Sequence, residues 1–269
     1  MPEHPPNRRL SRPLPDVAIR SASPAGVRYA ELHCRSNFSF LSAASHPDEL
    51  VARAIELGHV ALAITDQNSV AGIVRAHVAA KDLGFKLLIG AEITPHDSPP
   101  VVLWSMNRAG YGRLCRLITR GRRNAPKGQC RLALSDVLEH AEGLLAGLVL
   151  REAGTLLAQS AGLLRDAFGD RTYLLAELHR GGDDARQLQH WINESRQHSI
   201  PLVAANDVQY HVAERQRLHD VLAAIRHGCT IEELGQRRWP NAERHLKSPI
   251  EMAALFAMCP DAITRMAEI

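Results

Sequence analysis

The chain has 269 residues, of which 45% are hydrophobic and 23% are charged. This is an ordinary globular composition, and it excludes a fully disordered or collagen-like chain. Lysine and arginine total 32 against 29 acidic residues, and a formal net charge of +3 does not by itself indicate a nucleic-acid partner.

Sequence features that would indicate export or membrane insertion are missing. No apolar run approaches the roughly 18 residues that a membrane span needs, and the N-terminus lacks the apolar segment of a signal peptide. The five cysteines are odd in number and irregular in spacing, which favours free, mostly buried thiols in a reducing compartment. We therefore expect a cytoplasmic protein that makes no membrane contact.

Residues 1–26 contain most of the early prolines and predict a flexible leader, followed by one domain over residues 27–269. Short apolar runs then alternate with helical patterns. The predicted strands cover residues 27–33, 60–65, 86–92, 101–104, 144–150, 172–178 and 200–205. The predicted helices begin at Ser45 and Ser69 and then cover residues 111–120, 155–168, 184–198, 218–226 and 249–258. Such alternation predicts an α/β fold with a mainly parallel sheet, either a barrel or a large doubly wound sheet.

Three local patterns carry further expectations. Ser45 with Asp48 three residues later is typical of a capping box at the start of a helix. His219 and Asp220 are adjacent, so they point to different faces of their predicted helix, which favours a surface role. The basic stretch over residues 120–128 is predicted to be a solvated loop, with phosphate contact as the alternative, and residues 237–247 could contact a partner domain or nucleic acid.

Acidic residues and histidines recur at the carboxyl ends of the predicted strands. They are Glu31, His33, Asp66, Glu92, Glu177, His179, Asn206 and Asp207. In a parallel barrel this edge holds the active site, and such side chains there can bind divalent metals. Taken singly, each residue is as well explained by a helix cap or a turn, which Asp66 fits, or by a buried core histidine in the case of His33.

Several long motifs occur in the order found in polymerase-and-histidinol-phosphatase (PHP) domains. They cover residues 29–41, 61–66, 89–92 and 201–207. Within that family the chain resembles the N-terminal PHP domain of bacterial C-family DNA polymerases. Residues 109–123, 181–184 and 241–252 are similar to the error-prone branch. The resemblance covers residues from about 27 to the end, and it implies a distorted (β/α)7 PHP-type barrel with mainly parallel strands.

The resemblance implies metal ligands at four positions, His33, Asp66, Glu92 and Asp207, as remnants of a metal site. Other positions depart from the family pattern. Arg35, Gln67 and Gln209 stand where the family has histidines, Ser42 where it has an aspartate, and Pro100 or Val101 where another histidine is often found. Arginine offers only donors and cannot bind a metal.

We therefore expect a domain with no confident catalytic residue and no cofactor, retained as a structural module. Arg35 is expected to pair with Glu92 or Asp207 in place of the lost metal charge. The alternative is a working metal-dependent phosphoesterase or 3′–5′ exonuclease that uses the same four residues with a divalent metal (Zn, Mn or Mg).

The resemblance also implies partners. Related polymerases continue far beyond this domain, so we expect that the chain lacks the polymerase core through which DNA would be bound. A truncated gene, an excised fragment and one half of a split polymerase all stay open. Contacts with other polymerase or mutagenesis subunits, including a standalone adaptor role, stay open as well.

Overall fold

The computed structural model describes residues 26–151 and 155–269. The predicted leader lies outside the described residues, apart from Gly26. Seven strands form one sheet in which the spatial order follows the chain order. They are β1 (Ala30–Glu31), β2 (Ala61–Ile64), β3 (Leu87–Ile93), β4 (Val101–Ser105), β5 (Leu144–Val149), β6 (Thr172–Glu177) and β7 (Leu202–Ala205).

The sheet is mainly parallel and nearly closed. Four of the six neighbouring pairs are parallel, whereas β4 runs antiparallel to both β3 and β5. Just beyond β1 and β7 the two ends of the sheet meet, where the Val208 amide donates to the carbonyl of His33 (2.9 Å) and the Arg35 amide donates to the carbonyl of Val208 (2.8 Å). These bonds confirm the predicted distorted seven-stranded barrel.

The described residues contain nine α-helices. They are α1 (Pro47–Glu56), α2 (Ile73–Asp82), α3 (Arg108–Arg123), α4 (Leu134–Glu139), α5 (Thr155–Phe168), α6 (Asp184–His198), α7 (Gln216–His227), α8 (Pro249–Leu255) and α9 (Asp261–Thr264). Helix α3 shows why such segments are helical: Leu114, Leu117 and Ile118 are spaced to share one face, and all three are buried in the core. None of the helices within these described ranges is long and apolar enough to cross a bilayer.

Alternate strand residues fill the inside of the barrel. Trp104, Leu175 and Val203 belong to one buried cluster that joins strands on different sides of the sheet, and the Trp104 indole donates to the carbonyl of Leu32 (2.9 Å). A Cβ on Gly147 would lie 1.9 Å from the Leu175 side chain, so only glycine fits there. Since side chains alternate along a strand, Glu177, two residues after Leu175, faces the same interior at its carboxyl end.

Two expectations about local structure near α1 and α3 are wrong. Helix α1 is capped by His46, whose amide donates to Glu49 (2.9 Å), because Ser45 instead bonds His211 and Asp48 pairs with Arg75. The basic stretch at 120–128 begins inside α3, which ends at Arg123.

The expected surface role of the His219–Asp220 pair is also wrong. Both side chains are buried, because Asp220 accepts from Arg238 (2.8 Å) and His219 packs against Tyr210. All five cysteines are free, but only Cys34 is buried.

Candidate functional site at the barrel mouth

Four segments that follow the ends of strands bring polar side chains into one buried cluster. His33 lies after β1, Glu92 near the end of β3, Glu177 at the end of β6 and Asp207 after β7. All four are at least nine-tenths buried. Three of the four predicted metal residues therefore meet: ligand atoms of His33, Glu92 and Asp207 all lie within 4.8 Å of one another.

His33 is held between two carboxylates. Its Nε2 donates to Glu92 Oε2 (2.8 Å) and its Nδ1 donates to Glu177 Oε1 (2.5 Å). Burial disfavours the imidazolium, but the carboxylates of Glu177 and Glu92 outweigh it and raise the pKa of His33 to about 10. Both ring nitrogens therefore donate to carboxylates, and a metal would bind this ring only by displacing a proton and one of the two hydrogen bonds.

Asp207 is held between two guanidinium groups. Arg35 donates to Oδ1 through Nε (3.1 Å) and through a second nitrogen, and Arg244 donates to Oδ2. Arg151 approaches the same oxygen at 3.8 Å. Burial alone would raise the pKa of Asp207, but Arg35 and Arg244 hold it well below its usual range, so the carboxylate is ionised.

Arg35 also reaches the second carboxylate of the set. Its Nε lies 3.4 Å from Glu92 Oε2, and the side chain is 8% exposed. Despite the cost of burial, Arg35 and His33 lower the pKa of Glu92 to about 2. Arg35 was expected to pair with Glu92 or Asp207, and it pairs with both.

The second arginine is fixed by the segment after α7. The Arg244 guanidinium stacks 3.7 Å above the centre of the Trp239 ring. The Trp239 indole donates to Gln209 Oε1 (2.9 Å), and Gln209 Nε2 donates to Asp207 Oδ2 (3.3 Å). The amide at position 209 therefore works as a hydrogen-bond link to the same carboxylate.

Asp66 lies outside the three-residue set. Its carboxylate accepts hydrogen bonds from the Ser36 amide and hydroxyl and from the Ser39 hydroxyl, at 2.8–3.0 Å. Burial raises the pKa of Asp66 to about 6 in spite of these donors. Helix α2 begins after Gly72, so Asp66 does not serve as the helix cap that its sequence context also allowed.

Glu31 bridges the seam between the first and last strands. Its Oε1 accepts from the amides of His33 (2.9 Å) and Asn206 (3.1 Å), and its Oε2 accepts from the Tyr29 hydroxyl (2.9 Å). Burial raises the pKa of Glu31 to about 7. This carboxylate supplies acceptors where the two short strands do not pair directly.

The residues present do not fit a divalent metal. Both nitrogens of His33 and both oxygens of Asp207 already have partners, and the carboxylate Oε1 of Glu92 is the one oxygen of the set without one. A cation bound there would also stand next to two guanidinium groups, which cannot lose their charge. Chemically, the arrangement is a closed network of ion pairs.

Two members of this network were not identified from the sequence as site residues. Glu177 carried a signal, since it is one of the acidic residues at strand ends, but it was not counted among the ligands. Arg244 could not be identified as a site residue from the sequence. It follows β7 by almost 40 residues and reaches Asp207 only through the folding of residues 237–247.

The PHP domain family matches residues 31–199 of the chain. The error-prone DNA polymerase of Rhodopirellula baltica is 47% identical over 254 residues, which are 90% of this chain and 22% of that protein. The error-prone DNA polymerase of Pseudomonas fluorescens is 49% identical over 235 residues, 87% of this chain and 22% of that protein. The chain thus spans about a fifth of the length of these relatives.

Solved structures share the fold at low sequence identity. A Bifidobacterium adolescentis protein assigned as a metal-dependent phosphoesterase has a TM-score of 0.52 at 16% identity, over 67% of this chain and 87% of that one. An amidohydrolase from Chromobacterium violaceum has a TM-score of 0.51 at 15% identity over the same shares. Together with the family match, these findings show that the chain belongs to the PHP domain family, homologous to the PHP part of error-prone DNA polymerases.

Proposed function

We propose that this chain is a non-catalytic PHP domain that supports an error-prone type of DNA polymerase. One observation carries the proposal, namely that two arginines bind the same buried carboxylate. The Arg35 guanidinium lies between Asp207 Oδ1 and Glu92, and Arg244 donates to Asp207 Oδ2. In this proposal the two guanidinium groups supply the positive charge that a metal ion would otherwise bring to these carboxylates.

A non-catalytic role follows from the chemistry of these groups. An arginine cannot act as a ligand, and its charge is permanent under all conditions in which the protein is folded. Removing a carboxylate partner would leave a buried, unpaired charge, so the network holds itself in place. Its members come from β3, from the segments after β1 and β7, and from residues 237–247, so it ties the mouth of the barrel together.

The supporting role rests on the relatives. They are named error-prone DNA polymerases, and the chain matches about 22% of their length. We propose that the domain braces a polymerase core and acts with it, in the cytoplasm, in damage-tolerant synthesis across lesions and in DNA repair. Further polymerase or mutagenesis subunits are proposed partners of the assembled enzyme.

A second candidate function is an active metal-dependent phosphoesterase or exonuclease. Two observations favour it: His33, Glu92 and Asp207 lie within 4.8 Å of one another, and the buried Oε1 of Glu92 has no hydrogen-bond partner. This function would require Arg35 and Arg244 to leave Asp207, with the loss of both ion pairs.

A phosphodiesterase assay separates the two candidates. We expect the purified chain, supplied with Mn²⁺ or Zn²⁺, to hydrolyse bis-p-nitrophenyl phosphate no faster than its His33→Ala variant. Melting curves of both proteins show whether the variant is folded, and Asp207→Asn serves as a second variant. Metal-dependent hydrolysis that is abolished by both substitutions in folded protein would contradict a non-catalytic role.

A further inference from the structure

One segment of the chain is strongly basic. Residues 98–135 contain no aspartate or glutamate but eight lysines and arginines. Because the whole chain has a formal net charge of +3, the other residues together carry −5. The segment includes α3 and the loop that follows it, so positive charge is concentrated there while the rest of the chain is net acidic.

Three of the eight cations are used inside the domain. Arg113 pairs with Glu142, and Arg120 pairs with Asp136 (2.9 Å) and Glu139 (2.5 Å). Arg122 donates to backbone carbonyls, among them that of Asn68 at 3.0 Å. These three therefore stabilise the local fold.

The other five cations are exposed, and their side chains have no hydrogen-bond or ion-pair partner within residues 26–151 and 155–269. We call them the basic face: Arg108, Arg116, Arg123, Lys127 and Arg131. Cations in the last turn of a helix also complement the helix dipole. Only Arg123 is in the last turn of α3, so the dipole does not account for the other four.

The loop that carries Lys127 and Arg131 is held against α3. The Arg131 amide donates to the carbonyl of Gly121 (2.9 Å), and the Gln129 amide donates to that of Pro126 (3.0 Å). A Cβ on Gly121 would lie 2.5 Å from Cys130 Sγ, so glycine allows this close approach. The backbone that carries Lys127 and Arg131 is therefore held beside α3.

The face has a groove and lies near the barrel mouth. Arg116 and Arg123 are seven residues apart on α3, so they share a side of the helix, and both line a shallow groove with Thr119 and Asn124. The loop contacts the segment after β3, where the His96 amide donates to the carbonyl of Leu132 (2.9 Å). A long polyanion on this groove would thus pass beside the loops that surround the mouth.

The chemistry of the face indicates which polyanion fits. Its contacts are guanidinium and ammonium groups, which bind phosphates, and no aromatic side chain lines the groove, so it offers no platform for stacked bases. A duplex presents phosphates and hides its bases, and the relatives are DNA polymerases. We propose that the basic face binds the phosphate backbone of double-stranded DNA directly, without the polymerase core.

Fluorescence anisotropy with a short labelled DNA duplex tests this proposal. We expect the affinity of the wild-type chain to fall steeply between about 50 and 200 mM salt. In the variant with Arg116, Arg123, Lys127 and Arg131 replaced by glutamine, the slope of log K against log salt should become shallower by about 3 to 4, with a loss of about tenfold or more at the lowest salt.

The matched control replaces four exposed cations elsewhere with glutamine, so that both variants have the same net charge. These are Lys81, Lys86, Arg196 and Arg217. The control should bind within about twofold of wild type. Equal losses in both variants, no binding by the wild type, or preference for single-stranded DNA would overturn the proposal. None of these outcomes depends on metal binding or hydrolysis at the barrel mouth.

Discussion

Arg35 is the residue that links the two buried carboxylates at the barrel mouth. It is buried, and it contacts the carboxylates of both Asp207 and Glu92. A buried ion pair adds little net stability compared with a well-packed apolar pair, but breaking one from one side is costly because a charge is left without its partner. Arg35 therefore stabilises two buried carboxylates that would otherwise be charges without this partner.

Replacing Arg35 with alanine should strongly destabilise the domain. We expect Arg35→Ala to lower the free energy of unfolding by about 3 kcal/mol or more, measured by urea denaturation, since Asp207 and Glu92 both lose a buried partner. The control is Arg186→Ala, which removes a 2.8 Å ion pair with Asp183, and both side chains of that pair are exposed. That change should cost at most about 1 kcal/mol. Equal losses in the two variants would contradict the account.

The sequence located the site only in part. Parallel strands deliver their carboxyl ends to one edge, so the meeting of His33, Glu92 and Asp207 could be predicted. Asp66 ends β2 in the same way, yet two serines from the loop after β1 hold its carboxylate. Arg244 could not be found, because its position depends on how a long irregular segment folds back over the mouth.

Two glycines on α3 have opposite roles at the scale of the helix. A Cβ on Gly110 would lie 2.0 Å from the carbonyl oxygen of Gly143, a backbone atom that cannot move aside, whereas one on Gly112 would meet nothing within 4 Å. The close approach of α3 to the start of β5 therefore requires glycine only at position 110.

Alanine substitutions separate these roles. Gly112→Ala should raise the free energy of unfolding by up to about 1 kcal/mol, because alanine is the better helix former. Gly110→Ala should lower it by about 1–3 kcal/mol, the usual cost of overpacking. Thermal unfolding of the two variants measures both effects, and a stabilised Gly110→Ala variant would show that the helix does not lie against β5 as described.

Element boundaries were predictable where the pattern was long. Helices α5 and α6 have the predicted bounds, because each shows several turns of helical periodicity. Helices α4 and α9 were missed, since six and four residues are too few to show a period. The reversed direction of β4 was also missed, although seven residues between β3 and β4 are too few for a parallel crossover.

At the scale of the whole molecule, one buried histidine contacts residues from the first and the last parts of the described chain. His59 follows α1, its Nε2 donates to the carbonyl of Lys247 (2.8 Å), and its ring packs edge-on against Tyr29. Its Nδ1 is buried without a partner, so a second proton there would have no acceptor. Burial lowers the pKa of His59 to about 4.

This pKa predicts a pH dependence of stability. Above pH 6.5 the ring is neutral in both states, and its contribution is fully present. Below that pH the unfolded chain binds a proton that the native state does not, so His59 should remove roughly 3 kcal/mol from the free energy of unfolding by about pH 4. Glu31 acts in the opposite direction, because its pKa is raised to about 7 by burial. Burial also lowers the pKa of His219 to about 4, which adds to the effect of His59, so the total curve is a sum of opposing contributions.

Comparing the free energies of unfolding of wild type and a His59 variant isolates the contribution of His59. The stability of wild type minus that of His59→Gln should fall as the pH is lowered from 6.5 to 4, measured by urea denaturation across that range. His77→Gln, at an exposed position on α2, is the control and should give a flat difference. A flat difference for His59→Gln as well would contradict the buried, neutral state of this ring.

The metal content of the purified chain tests the central claim most directly. The protein is incubated with Mn²⁺ and Zn²⁺, dialysed, and measured by elemental analysis beside the His33→Ala variant. Because Arg35 and Arg244 occupy Asp207, we predict less than about one ion per ten chains, with no difference between the two proteins. If wild type instead held about two ions per chain and His33→Ala lost them, the claim that arginine stands in for a metal ion at this site would be contradicted.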